Sequence, residues 1–304
     1  MHTNLQDQKQ GMLFALAAYS MWGLFPIYFK SVADVSPFEV LCHRIIWSFV
    51  FLALFIAASG RWPELMRSIR QKRLLLNLTA SAVFVSLNWL VFIWAVGQGR
   101  ILETSLGYFI NPLISLLLGM VFLGERLRRA QWIAILMAVA GVGYQLVLLG
   151  SLPWVALFLA CSFGMYGLLR KQIVVDPFSG LLIETLLLTP FALLYLLWLE
   201  QQSQLTFLSG SVATSWLLVA AGIITSLPLI CFAAGARRLT LTLIGLLQYT
   251  APTITFILAI AVYHEPLDAN RLVTFALIWT GLILFTAEGL WQSKKISVKP
   301  LEAV

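Results

Sequence analysis

The sequence predicts an all-α integral membrane protein whose ten transmembrane helices form two inverted five-helix repeats. Three observations predict it. Of 304 residues, 60% are hydrophobic and 11% charged, whereas a soluble domain has about 45–50% and about 25%. The apolar residues recur from Gly11 to Leu290 in blocks of about 20, the length a helix needs to cross a bilayer. The two halves also match each other at an offset of about 140 residues. A soluble enzyme, a secreted domain and a disordered chain are excluded. A net charge of +7 would suggest nucleic acid for a soluble protein, but here its placement reports orientation.

The expected elements follow in order. Met1–Gln10 is polar, scarcely basic and lacks a small-residue cleavage site, so residues 1–10 read as a cytoplasmic tail and not a signal peptide. The first repeat, 11–149, holds spans at 12–30, 38–59, 74–96, 102–122 and 132–149. The second, 150–290, holds 152–169, 179–199, 213–235, 241–262 and 272–290, with a cytoplasmic tail at 291–304. The longest connectors, 60–73 and 200–212, are too short to fold as domains. Trp22, Trp132, Trp154 and Trp291 fall near span ends and read as interfacial anchors. Cys42, Cys161 and Cys231 lie inside apolar blocks without paired spacing and read as small buried hydrophobes, not disulfides or metal ligands. The sequon Asn77-Leu78-Thr79 sits at the mouth of a span and is discounted.

Basic residues set the orientation. One side of the alternation carries Lys9, then Arg61, Arg67, Arg70, Lys72 and Arg73, then Arg126, Arg128 and Arg129. It continues with Arg170 and Lys171, Arg237 and Arg238, and Lys294, Lys295 and Lys299. The other side has only Lys30, Arg100 and Arg271. An error of one helix would scramble this pattern, so it supports ten crossings with both termini cytoplasmic.

The repeat rests on residues that rarely match by chance. Pro37-Phe38 corresponds to Pro177-Phe178, Pro112 to Pro252, Glu125 to Glu265, and Gly141 to Gly281. Five helices are an odd number, so the second copy enters from the opposite face. Inverted repeats are a common plan of secondary transporters, with the substrate site near mid-membrane at the repeat interface.

Several segments carry a family resemblance. They are Trp22-Gly23 with Pro26, His43-Arg44 before Trp47-Ser48, Asn88-Trp89, and the run from Ser105 to Pro112. Pro153-Trp154, Arg170-Lys171, Gln248-Tyr249 with Pro252, and Glu265-Pro266 extend it. The chain resembles RarD-type proteins of the EamA family, in the drug/metabolite transporter superfamily. The resemblance implies a basket of two five-helix bundles in a bacterial inner membrane. Helices 1, 3, 4, 6, 8 and 9 would line its central cavity. It also implies export of small organic metabolites or drugs, and the RarD name goes with chloramphenicol sensitivity.

Arg44 and Glu184 stand deep in spans at matching positions of the two repeats. Charges there are costly and are functional candidates by default. Their backbones differ in depth by roughly 13 Å across a core of about 30 Å. Two arrangements are open: a pair stretched across the centre, or each side chain snorkelling to its nearer interface. Glu184, with Thr185 beside it, is the candidate carrier of a coupling proton. Glu103, Glu125 and Glu265 lie at span edges, where capping or surface pairing is expected. Arg44, Asn88, Trp89, Tyr108, Asn111, Tyr166, Gln248 and Tyr249 form the candidate substrate-binding set. Prolines inside helices free a backbone carbonyl about a turn earlier, so Pro26, Pro112, Pro228 and Pro252 are candidate kinks or gates.

Enzyme readings find no support. Asp7, Asp34, Asp176 and Asp268 all lie in tails or loops, and His264-Glu265 lacks a second histidine four residues after the first. No P-loop occurs, so use of ATP is not expected, and no cofactor is expected. The expected function is a permease working by alternating access on small organic molecules, chloramphenicol-like compounds or amino acids among them. Its partners would be the bilayer, the substrate and protons, with no nucleic acid. Two alternatives stay open: a lipid flippase or scramblase, and a non-transporting structural subunit. Inward-pointing Asn88, Asn111 and Gln248 would favour a closed cavity over a lateral lipid groove.

Overall fold

The structure, a computed structural model, describes residues 5–98, 100–149, 153–264, 270 and 272–284. The described residues are helical, without strands. In the first repeat, α1 (Leu5–Gly23) and α2 (Phe25–Ser31) make one broken crossing, followed by α3 (Pro37–Ala58). A short helix, α4 (Trp62–Ile69), precedes α5 (Lys72–Gly97), α6 (Ile101–Leu123) and α7 (Arg129–Leu149). The second repeat holds α8 (Trp154–Gln172), α9 (Pro177–Gln201) and α10 (Val212–Arg238). A second broken crossing, α11 (Leu241–Gln248) and α12 (Thr250–Ala261), is followed by α13 (Leu272–Leu284). Ten crossings result, eight of them long and apolar enough to span a bilayer by length and composition among the described residues.

Local chemistry starts these helices. Pro37 and Pro177 open α3 and α9, where proline's fixed φ suits the first turn and its missing N–H is not needed. Asp176, Ser211 and Thr240 cap α9, α10 and α11 by accepting from Ser179, Thr214 and Leu243 backbone N–H groups. Glu125 caps too, but on a neighbouring helix. Its carboxylate accepts from the N–H groups of Leu241 at 2.6 Å and Thr242 at 2.9 Å, and from the Thr242 hydroxyl at 2.7 Å. Buried Glu39 likewise accepts from Thr206 and Phe207 N–H, pinning the α9–α10 connector over the start of α3.

The repeats interleave more than they pack internally. α1 lies along α10 as α8 lies along α5, and α6 meets α8 as α12 meets α1. Small residues at matched positions make these crossings close. Gly23 faces Ile254, and its counterpart Gly164 faces Ile114. Gly141 abuts the Thr274 carbonyl, and Gly281 abuts that of Ala134. Such small-residue contacts let helices approach where lipid offers no hydrophobic drive to associate. Outward, Leu13, Val121, Leu136, Phe191 and Leu194 are 61–71% exposed, an apolar perimeter suited to acyl chains.

The structure adds one element and changes the expectations for two spans and one cysteine. The spans 12–30 and 241–262 are each broken, at Leu24 and at Tyr249. The connector 60–73 contains α4, whose Trp62, Leu65, Met66 and Ile69 fall on one face at i, i+3, i+4 and i+7. Cys161 is exposed on the perimeter instead of buried.

Candidate functional site

Arg44 rises from α3, about two turns past its N-terminal proline. Its Nε donates to Thr225 Oγ1 on α10 at 2.9 Å, joining the two repeats. Three aromatic rings surround the guanidinium: Trp89 of α5 at 4.9 Å, Phe29 at 5.7 Å and Phe25 at 5.9 Å, the last two from α2. The hydroxyls of Tyr28 and Tyr108 are near enough to interact with its charge. No acidic side chain among the described residues pairs with it. A charge at bilayer depth costs about 2.5–3.5 kcal/mol, and a cation–π contact returns about 0.5–2 kcal/mol. The cage therefore makes Arg44 tolerable without neutralising it.

Tyr108 is 49% exposed and Arg44 itself retains access, so both open onto one crevice. Phe92 packs edge-on against Tyr108 at 6.2 Å, backing the wall. Below the break in the first crossing, access ends. Tyr19 and Trp22 of α1, Phe163 and Tyr166 of α8, and Phe232 of α10 form a continuous aromatic plug with centroids 5.4–6.3 Å apart. Tyr19, Tyr166 and Phe232 are at most 1% exposed.

Beyond the plug lies a second charged group. Glu184 of α9 accepts from Ser81 Oγ at 2.6 Å and from Arg170 Nη1 at 3.3 Å, both through Oε1. All three are buried. Glu184 Oε2, Arg170 Nε and the Tyr166 hydroxyl have no hydrogen-bond partner among the described residues. Arg44 and Glu184 therefore do not pair, and Glu184 does not snorkel. Arg170, counted at sequence level among the cytoplasmic charges, is 3% exposed and is the true counterion. The loop of residues 173–176 turns the chain from α8 into α9, so that Arg170 near the end of one reaches Glu184 two turns into the other.

The other candidate residues divide clearly. Trp89 and Tyr108 join Arg44 at the crevice. Asn88 points inward but donates to the Leu159 carbonyl and Ser162 Oγ, both at 2.9 Å, tying α5 to α8. Asn111 and Gln248 are buried within the packing. Tyr166 belongs to the plug, and Tyr249 donates to the Phe109 carbonyl at 3.1 Å. In this conformation none of these five lines the crevice. Pro26 opens α2 just past the break, and Pro252 lies just inside α12 after the other. Pro112 and Pro228 sit inside continuous helices. The two broken crossings touch: Thr255 donates to the Gly23 carbonyl at 3.1 Å, next to the break. Glu103 and Glu265 lie outside what is described of side chains.

Sequence reasoning missed Thr225, Phe25, Phe29, Ser81, Arg170 and Glu39. Only the first-turn placement of Glu39, favourable for an acid at a helix N-terminus, was a readable signal. The rest depend on contacts between distant segments.

Comparison with known proteins agrees with this architecture. The model of the EamA-like transporter family matches residues 9–147 and again 150–287. An uncharacterized transporter of Vibrio cholerae is 47% identical over 285 residues, 94% of each chain. The protein RarD of Escherichia coli strain K12 is 46% identical over 292 residues, covering 96% of this chain and 99% of its own. A solved crystal structure superposes with a TM-score of 0.69 over 90% of this chain and 96% of its own, at 19% identity, and so shares the fold.

Proposed function

The chain belongs to the EamA-like transporter family, and we propose that it is a secondary permease that moves small organic molecules across a bacterial inner membrane by alternating access. One observation carries the reading: Arg44, a membrane-depth cation with no counterion among the described residues, sits in an aromatic cage where the two repeats meet. A structural charge would be paired, as Glu184 is with Arg170. Inward-pointing Asn88, Asn111 and Gln248 favour a closed bundle over a lateral lipid groove. With both termini cytoplasmic, as the basic residues imply, the open end faces the periplasm and the aromatic plug closes the cytoplasmic half. The repeats 11–149 and 150–290 are then the rocking units, and the tails 1–10 and 291–304 lie in the cytoplasm.

Glu184 is the proposed site of proton coupling. Protonation would release it from Arg170 beneath the plug, where Tyr166, a ring of the plug, stands one turn before Arg170. The test is flux into proteoliposomes loaded with a pH-sensitive dye, using amino acids, small metabolites and chloramphenicol. The wild type is compared with Glu184→Gln and with Arg170→Gln/Glu184→Gln, which removes the carboxyl without stranding the guanidinium. A substrate-dependent proton signal absent from both variants is expected. Flux without any proton signal would leave a uniporter, and no flux of any soluble solute would remove the permease reading.

A further inference from the structure

From the Arg44 cage we infer that the substrate is a small organic anion, a carboxylate on a flat apolar or aromatic body; this rests on the crevice being the transport site. The donor inventory comes first. A guanidinium has five N–H donors in a rigid fork. Thr225 takes the one on Nε, at 2.9 Å. The four on Nη1 and Nη2 have no protein acceptor among the described residues. With Nε taken, the Nη1–Nη2 edge is left to bind a carboxylate bidentately, end-on. Thr225 fixes the fork by holding its opposite corner.

The surroundings narrow the class further. Trp89, Phe25 and Phe29 offer π-faces that already meet a cation, so a second cation would be repelled by Arg44 before it gained the rings. Aromatic walls alone would have admitted cationic amphiphiles, and the arginine excludes them. The Tyr108 hydroxyl can donate to a carboxylate oxygen, the Tyr28 hydroxyl, which donates to the Leu217 carbonyl at 3.3 Å, can accept from a polar substituent, and the walls otherwise suit an apolar body. The pseudo-symmetric position provides the contrast. Glu184 occupies the place equivalent to Arg44 and is sealed by its own counterion, Arg170, with 1–2% side-chain exposure at both. The chain thus has the means to neutralise a charge at this depth. It does so in one repeat and leaves the accessible one open.

The experiment measures binding of radiolabelled phenylacetate to the purified full-length protein in detergent, competed by unlabelled phenylacetate, phenylacetamide and phenethylamine. Wild type should prefer the carboxylate over the amide by tenfold or more and reject the amine. Arg44→Gln should erase the preference, and Arg44→Lys should leave only part of it, because an ammonium keeps the charge without the fork. Thr225→Val should weaken carboxylate binding while amide binding stays put. Melting temperature and elution profile confirm that each variant is folded. Equal carboxylate and amide binding, an amine preference, discrimination unchanged in Arg44→Gln, or no binding of any of the three would overturn the inference. So would displacement of phenylacetate by phosphatidylglycerol, which would make the anion a lipid. Proteoliposome flux separates this from the broader reading. Arg44-dependent binding without flux keeps the anion site and removes the permease, whereas flux of amide or amine indifferent to Arg44 does the reverse.

Discussion

Glu184 and Arg170 show how much rests on single contacts at this depth. Removing one member of a buried ion pair strands the other, at about 3–5 kcal/mol, while replacing both with apolar groups of similar size is often neutral or stabilising. Glu184→Leu and Arg170→Met should therefore each lower the thermal midpoint sharply in detergent. The combination should recover most of the loss, giving a coupling energy of several kcal/mol by double-mutant cycle. Additive losses would show that the pair contributes no mutual stabilisation. At this scale the sequence was only half legible. Both deep charges could be picked out as apolar-block exceptions, and Arg44 and Glu184 were singled out for that reason. Their partners could not be read. Arg170 stands two residues from the end of α8, where a basic residue looks like an ordinary orientation signal. Burial there comes from α9 folding back and from Gly180, which leaves room for the guanidinium.

Helices pack here according to where a side chain is missing. At Gly222 on α10, an added Cβ would collide with the Trp47 backbone of α3, one turn beyond Arg44. The neighbouring Ser48 hydroxyl donates to the Gly222 carbonyl at 3.1 Å, fixing the same crossing. Gly222→Ala should cost about 1–3 kcal/mol by overpacking and should displace Thr225 from Arg44. Gly143 on α7 has open space instead, so Gly143→Ala should be neutral or stabilise by about 0.5–1 kcal/mol. Thermal melts of the two variants side by side test the contrast, and equal losses would refute it. The existence of these elements was plain from apolar blocks and from matched Pro and Gly. Their interruptions were not. Pro26 and Pro112 look alike in sequence, yet α1 breaks beside the first while α6 runs through the second. The difference lies in what accepts the freed groups, and that is decided by neighbouring helices. Helix α4 was invisible for another reason: its apolar residues form a stripe, not a block.

Across the whole molecule, the two repeats share a plan but not a conformation. The crossings broken at Leu24 and Tyr249 lie against each other, while their counterparts, α8 and α6, are continuous helices. An inverted repeat held in two unlike shapes yields the opposite-facing state when the shapes exchange, which is the usual logic of alternating access about a fixed site. The sequence revealed the duplication, and the odd helix number revealed the inversion. Which crossing of each repeat is broken could not be read, because it is a property of one state and not of the residues. Cysteine accessibility tests the arrangement directly. In a background with Cys42, Cys161 and Cys231 replaced, Tyr108→Cys should react in intact spheroplasts with a maleimide that cannot cross the membrane, because Tyr108 is 49% exposed on the crevice. Ser81→Cys, fully buried beside Glu184, should stay unlabelled from that side. Adding Phe232→Ala, which removes the ring contacted by Tyr19, Trp22, Phe163 and Tyr166, should let reagent through to Ser81→Cys. Labelling of Tyr108→Cys only in inverted vesicles would reverse the assigned orientation. Labelling of Ser81→Cys with the plug intact would mean that the plug is no barrier, and that the charge pair beneath it already has access to water.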